Sequence, residues 1–169
     1  MMDSTVMFGM LLTIKTIVVY LILVLFLIDL AKADSYNKIA RIIKILLFPL
    51  LLLFNVHYKK INIGLLFAAL LINFISFYIL LPGYDLGTLV NFSIFQTAKM
   101  LIGLLKFVVI IGVVLSWFYA FGANFYNSAT SLIQEVYETT VSIFRNIIPP
   151  TAGFDLSPLI AFFAFQLAE

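Results

Sequence analysis

Cysteine is absent from these 169 residues, and histidine occurs once, at His57. The first absence excludes disulfides, thiolate metal sites and cysteine nucleophiles. The second excludes a metal centre built from several histidines. Charge is scarce as well: Asp, Glu, Lys and Arg make up 11% of the chain, against about 25% in an ordinary soluble domain. Gly-rich phosphate loops, nucleophile elbows and metal-ligand spacings are missing, so neither catalytic residues nor a cofactor is expected. The ten Lys and Arg are dispersed and mostly offset by eight acids, which excludes a nucleic-acid surface. What fills the chain is apolar: 64% of residues are hydrophobic and the mean hydropathy is +1.17. Such a composition describes an integral membrane protein. Asp3 stands where a signal peptide would be basic, and no small-residue cleavage site follows. The first span is therefore expected to be retained.

A spanning helix needs about 20 mostly apolar residues. Three stretches supply them: about Val6 to Leu30, Ile63 to Leu81 and Met100 to Phe121. A fourth, Pro158 to Ala168, stops at Glu169 and covers only about half the hydrocarbon thickness. Between the spans lie two amphipathic patterns. From Ser131 to Ile148, Leu132, Ile133, Val136, Tyr137, Val141, Phe144, Ile147 and Ile148 share one face, with Glu135, Glu138 and Arg145 on the other. That pattern predicts a helix lying in the membrane interface, opened by a capping box of Ser131 and Gln134. Asn37 to Phe54 is its counterpart in the first half, with Lys38, Arg41 and Lys44 along one side and Pro49 within it.

The halves align on each other. Tyr36-Asn37 matches Tyr126-Asn127 and Phe54 matches Phe144; after a three-residue insertion Asn62 matches Asp155 and Asn73 matches Gln166. The expected fold is thus an all-α membrane protein of two parallel repeats, residues 1–81 and 100–169, joined by an external connection, residues 82–99. Each repeat runs span, interfacial helix, span, with the last helix short and the symmetry axis along the membrane normal. Lys32, Lys38, Arg41, Lys44, Lys59 and Lys60 crowd the first inter-span connection, whereas the second holds only Lys99 among its cations. The positive-inside rule then places the first connection in the cytoplasm and the N-terminus outside. The basic helix would face anionic lipids there.

At the end of the second amphipathic helix the sequence reads Arg145-Asn-Ile-Ile-Pro149-Pro150-Thr-Ala-Gly153-Phe-Asp155-Leu-Ser157-Pro158. A helix stops, the chain turns, and a new helix enters the membrane. Ser157 is expected to cap that helix and Pro158 to occupy its first position. With Ser116-Trp117 at the end of the third span, these residues resemble the YggT family of small bacterial membrane proteins, also called YlmG. The resemblance rests on Ser116, Trp117, Arg145, Pro149, Gly153, Asp155, Ser157 and Pro158. It implies two copies of a hydrophobic repeat in the bacterial cytoplasmic membrane. It also implies roles in envelope organisation, in ion or osmotic homeostasis, or in assembling membrane complexes, with no enzymatic activity attached. Thr139, Ser142 and Asn146 stand where family members usually carry Pro or Arg.

Among the polar residues within the apolar segments, four stand out as candidate intramembrane groups: Lys15, Lys106, Asn73 and Gln166. The two lysines are one residue apart in repeat register. They either line a shared polar cleft or reach for the outer headgroups, and the second role is favoured because no acid lies at their depth. The two amides are expected to make interhelical hydrogen bonds. His57 reads as a solvated interfacial residue, and Asp155 as a helix cap or turn anchor. Arg145 lies too far along from Glu135 and Glu138 for an i,i+4 pair. A scaffold or assembly factor fits these features best, and a small transporter or channel component is the alternative. The short fourth helix leaves room for a homo-oligomer or a membrane-protein partner.

Overall fold

The computed structural model describes residues 4–33, 37–59, 61–123, 126–146 and 155–169. Three helices are long and apolar enough to cross a membrane: α1 (Ser4–Leu30), α4 (Ile63–Leu80) and α5 (Leu86–Ala120). The two ends of α4 match the expected span. α5, by contrast, starts fourteen residues before Met100, and residues 86–99 of the expected connection are helical. Asp85 explains the early start. Its carboxylate accepts the Thr88 N–H at 2.9 Å and the Thr88 hydroxyl at 2.6 Å, an N-cap that fixes the first turn. The connection shrinks to a tight turn in which Gly83 adopts φ +111°, open to glycine at no steric cost. Leu89, Ser93, Thr97 and Met100 then form the buried stripe of this added helix, which packs on α4.

The basic segment after α1 forms two helices rather than one, α2 (Lys38–Leu46) and α3 (Phe48–Phe54). Pro49 is the reason. It has no N–H to donate and its ring clashes with the carbonyl four residues back, so the helix restarts with Pro49 in its first turn. A two-residue antiparallel hairpin, β1 (His57–Tyr58) and β2 (Ile61–Asn62), leads into α4, with Lys59 at φ +56°. No alternating pattern of that length marks a strand in the sequence.

The second amphipathic helix, α6 (Ser128–Arg145), begins three residues earlier than expected. Its capping box is not Ser131 with Gln134. Asn127 accepts from Ala129 N and Thr130 N, while the Thr130 hydroxyl accepts from Asn127 N. An Asn is as good an N-cap as Ser, and Thr at N3 can return the bond. Asn37 caps α2 in the same manner, accepting from Ile39 N and Ala40 N. Its own amide donates to Ser128 O at 2.7 Å, so the starts of α2 and α6 lie together on one side of the bundle.

The apolar face of α6 meets protein where lipid was expected. Leu132, Val136, Tyr137 and Val141 are buried, and the helix packs on α5, α7 (Ser157–Ala168), α1 and α2. An apolar stripe must leave water, but its spacing does not specify whether acyl chains or neighbouring helices receive it. The main core joins Val19, Ile22, Leu23 and Phe26 of α1 to Leu65, Ala68 and Ala69 of α4 and Met100 of α5. Ala68 and Ala69 let the backbones approach, as small residues do between membrane helices. A second core gathers Val109, Tyr137, Val141 and Ala161. Packing runs in sequence, α1 on α4, α4 on α5, α5 on α7. A strict two-fold would press α7 on α1 as α4 presses on α5, and no such packing occurs among the described residues.

Candidate functional site

Arg145, the last residue of α6, is held by two acids. Its Nη1 bonds Glu138, two turns earlier on the same helical face, and its Nε donates to Asp155 Oδ2 at 2.6 Å. Seven residues is two turns, so the long guanidinium reaches where an i,i+4 pair was not available. The other Asp155 oxygen accepts the Ser157 N–H at 2.9 Å. The expected cap roles shift accordingly: Ser157 is the first residue of α7 and Pro158 the second, with Asp155 supplying the capping carboxylate. Gln134 extends the chain by donating to Glu138 Oε1 at 3.1 Å. Pro149 and Gly153, also part of the family signature, lie outside the described residues.

Glu138, Arg145 and Asp155 line a cleft of about 850 Å³ between α5, α6 and α7. Ser116 and Trp117 come from α5, Tyr137, Glu138 and Arg145 from α6, Pro158 from α7, and Asp155 from the residues just before it. Trp117 is 64% exposed, an indole left open at the rim. Gly112 lies behind Tyr137 so closely that an added Cβ would sit 2.2 Å from the ring. The hydrogen bond to Glu138 holds the Arg145 guanidinium above its usual range despite partial burial. Burial pushes the Asp155 carboxyl up, but the hydrogen bonds from Ser157 and Arg145 outweigh it and leave the group below the ordinary carboxylate range. Burial, followed by the charge of Glu138, raises the Tyr137 phenol. The charges in the cleft are thus spent on one another, and the arrangement clamps α6 to α7.

The intramembrane polar residues pair within each half. Lys15 Nζ donates to Asn73 Oδ1 at 3.1 Å and lies 5.7 Å from the Phe77 ring centroid. Asn73 Nδ2 donates in turn to Thr97 Oγ1 at 3.0 Å, linking α1, α4 and α5. Lys106 donates to Gln166 Oε1 at 3.1 Å and forms an ion pair with Glu169, an acid that the sequence reading does not place at its depth. The lysines share no partner. Thr97 and Lys106 are nine residues apart on α5, about 13 Å along the axis. Among the described residues the two lysines therefore engage separate sets of partners.

A second cavity, about 480 Å³, lies in the first half and is lined by Asp29, Lys44, Asn55, His57 and Asn62 among others. Asn62 caps α4 by accepting from Leu65 N and donates to Asn55 Oδ1 at 3.2 Å. In the register that pairs Phe54 with Phe144 and Asn62 with Asp155, Asn55 falls on Arg145. The neutral Asn55–Asn62 pair therefore occupies the place of the Arg145–Asp155 ion pair, and that register was the signal that could have found it. His57 is not simply solvated: its Nε2 lies 3.0 Å from Asp29 Oδ2. Among the described residues no three His, Asp or Glu come together to hold a metal.

Comparison with known proteins agrees with the motif. Residues 91–169 match the CCB3/YggT family model. The chain is 29% identical over 167 residues to a Pseudomonas aeruginosa protein, Uncharacterized protein PA0392, covering 93% of this chain and 83% of that one. No solved structure matches. The segment that matches the CCB3/YggT model, residues 91–169, contains every residue lining the α5–α6–α7 cleft.

Proposed function

We propose that the protein is a non-enzymatic scaffold or assembly factor of the bacterial cytoplasmic membrane, acting in envelope organisation or membrane-protein biogenesis. The observation that supports this is the α5–α6–α7 cleft. Its acids and its arginine are bound to one another, which leaves no poised acid, base or nucleophile. What it offers is shape: a fixed charged floor, an apolar wall and the open Trp117 indole, the kind of anchor that dominates interfaces. The partner is a second copy of this chain or another membrane protein. A photo-crosslinking residue at position 117 or 159 should give one discrete protein adduct in living cells. At Phe163, a 55% exposed residue of α7, it should give none. Uniform labelling from all three positions, with a liposome ion flux that vanishes on Lys106→Leu, would make the transporter the better account.

Two parallel repeats, residues 1–81 and 100–169, remain our reading of the architecture. Matching N-caps, matching lysine–amide pairs and the matched Asn55–Asn62 and Arg145–Asp155 links support it. The same reading places the α2–α3 and α6 side in the cytoplasm and the N-terminus outside, on the positive-inside rule.

A further inference from the structure

We infer that Arg41 and Lys44 of α2, with Phe48 and Leu51 of α3, form a site for one anionic glycerophospholipid. A groove of about 420 Å³ is lined by Arg41, Lys44, Ile45, Phe48 and Leu51. Its two cations lie three residues apart, hence on neighbouring positions of one helical face. Neither forms an ion pair among the described residues, in contrast to Arg145 and Lys106. Asp29, which lines the adjoining cavity together with Lys44, is engaged there by His57 at 3.0 Å and does not line the groove.

The apolar part of the groove is open. Phe48 is 57% exposed and Ile45 67%, and the exposed Leu52 and Leu53 continue the surface along α3. The break at Leu47–Pro49 creates this combination: α2 ends with its cations outward and α3 continues as an apolar run. A phosphodiester bridging Arg41 and Lys44 would leave its acyl chain over Phe48 and Leu51. Arg supplies a fork of donors that matches phosphodiester oxygens and Lys adds a point charge. The second half lacks the feature. In repeat register Arg41 and Lys44 become Ser131 and Gln134, and Phe48 becomes Glu138. The two halves have therefore diverged, one toward an anionic lipid and the other toward an acid-walled cleft.

The site rests on α2 and α3 lying at the lipid surface, as the amphipathic pattern of Asn37 to Phe54 predicts, and one experiment separates the two ideas. Trp117 is the single tryptophan, so the Trp117→Phe, Phe48→Trp protein carries one fluorophore, at the groove. In nanodiscs doped with acyl-brominated phosphatidylglycerol or acyl-brominated phosphatidylcholine, phosphatidylglycerol should half-quench it at about thirty-fold lower mole fraction, two favourable cation contacts' worth. Arg41→Gln with Lys44→Gln should erase that preference. Lys32→Gln with Lys99→Gln, the same change in charge elsewhere, should keep it. Equal quenching by both lipids, or equal loss in both double variants, overturns the site but leaves the lipid-surface placement standing. Quenching by neither lipid overturns the placement and the site together.

Discussion

Asn73 shows how much one buried amide can organise. It is fully buried, accepts from Lys15 and donates to Thr97, so a single side chain ties three helices. Interhelical hydrogen bonds in membranes are worth about 0.6–2 kcal/mol each. Asn73→Leu should lower stability by about 1–3 kcal/mol, and adding Lys15→Leu should cost less than its separate effect, because the unpartnered ammonium is then gone. A double-mutant cycle on thermal unfolding in detergent measures this; strict additivity would mean that the two are not coupled. The Arg145 clamp is outside the spans and answers to pH. Asp155 is held below its ordinary value of 3.8, so its contribution is complete above that value and is lost as pH falls through the lower, folded one. Melting temperature should fall in that acid window, Asp155→Asn should flatten this part of the profile, and Arg145 stays protonated throughout.

At the scale of the element, α6 is the revealing case. Its apolar spacing was legible in the sequence, and all four residues buried on that stripe, Leu132, Val136, Tyr137 and Val141, belong to the predicted face. What covers the stripe was not legible. Charge at Val136 or Val141 would loosen a lipid-docked helix, whereas here those side chains are 6% and 0% exposed within protein. Val141→Asp should therefore cost about 4 kcal/mol or more and abolish recovery of monodisperse protein. Ile143→Asp, at a 62% exposed position on the same helix, should leave size-exclusion behaviour intact. Gly112 makes the complementary case. Gly112→Ala forces a methyl into the Tyr137 ring and should destabilise by about 1–3 kcal/mol, read from thermal unfolding. Nothing in the local sequence of α5 announces this, because the ring comes from another helix.

At the scale of the whole molecule, one contact ties the sidedness of the two halves together. The starts of α2 and α6 touch through Asn37 and Ser128, so the two connections share a side whatever its identity. A reporter fused within 31–62 should read cytoplasmic, and one inserted beside Gly83 should read external. The opposite pair of results inverts the topology.

Composition and periodicity alone determined that the chain is a helical membrane protein, where two of its long apolar helices run, and which faces of α2 and α6 are apolar. Those properties are set by solvent: burying apolar surface and satisfying backbone polar groups in lipid leaves few solutions. Cap chemistry was local too, yet Asp85 with Thr88 and Asn127 with Thr130 compete with other Ser, Thr and Asn nearby, so two helix starts were placed late. Only the tertiary structure decided which polar groups meet. Lys15 with Asn73, Lys106 with Gln166 and Glu169, and Arg145 with Asp155 are contacts between helices. A spacing of 58 or 60 residues along the chain carries no record of them. The register of a helix against its neighbour is fixed by the packing of side chains from both, and one strand of sequence supplies only half of that information at a time.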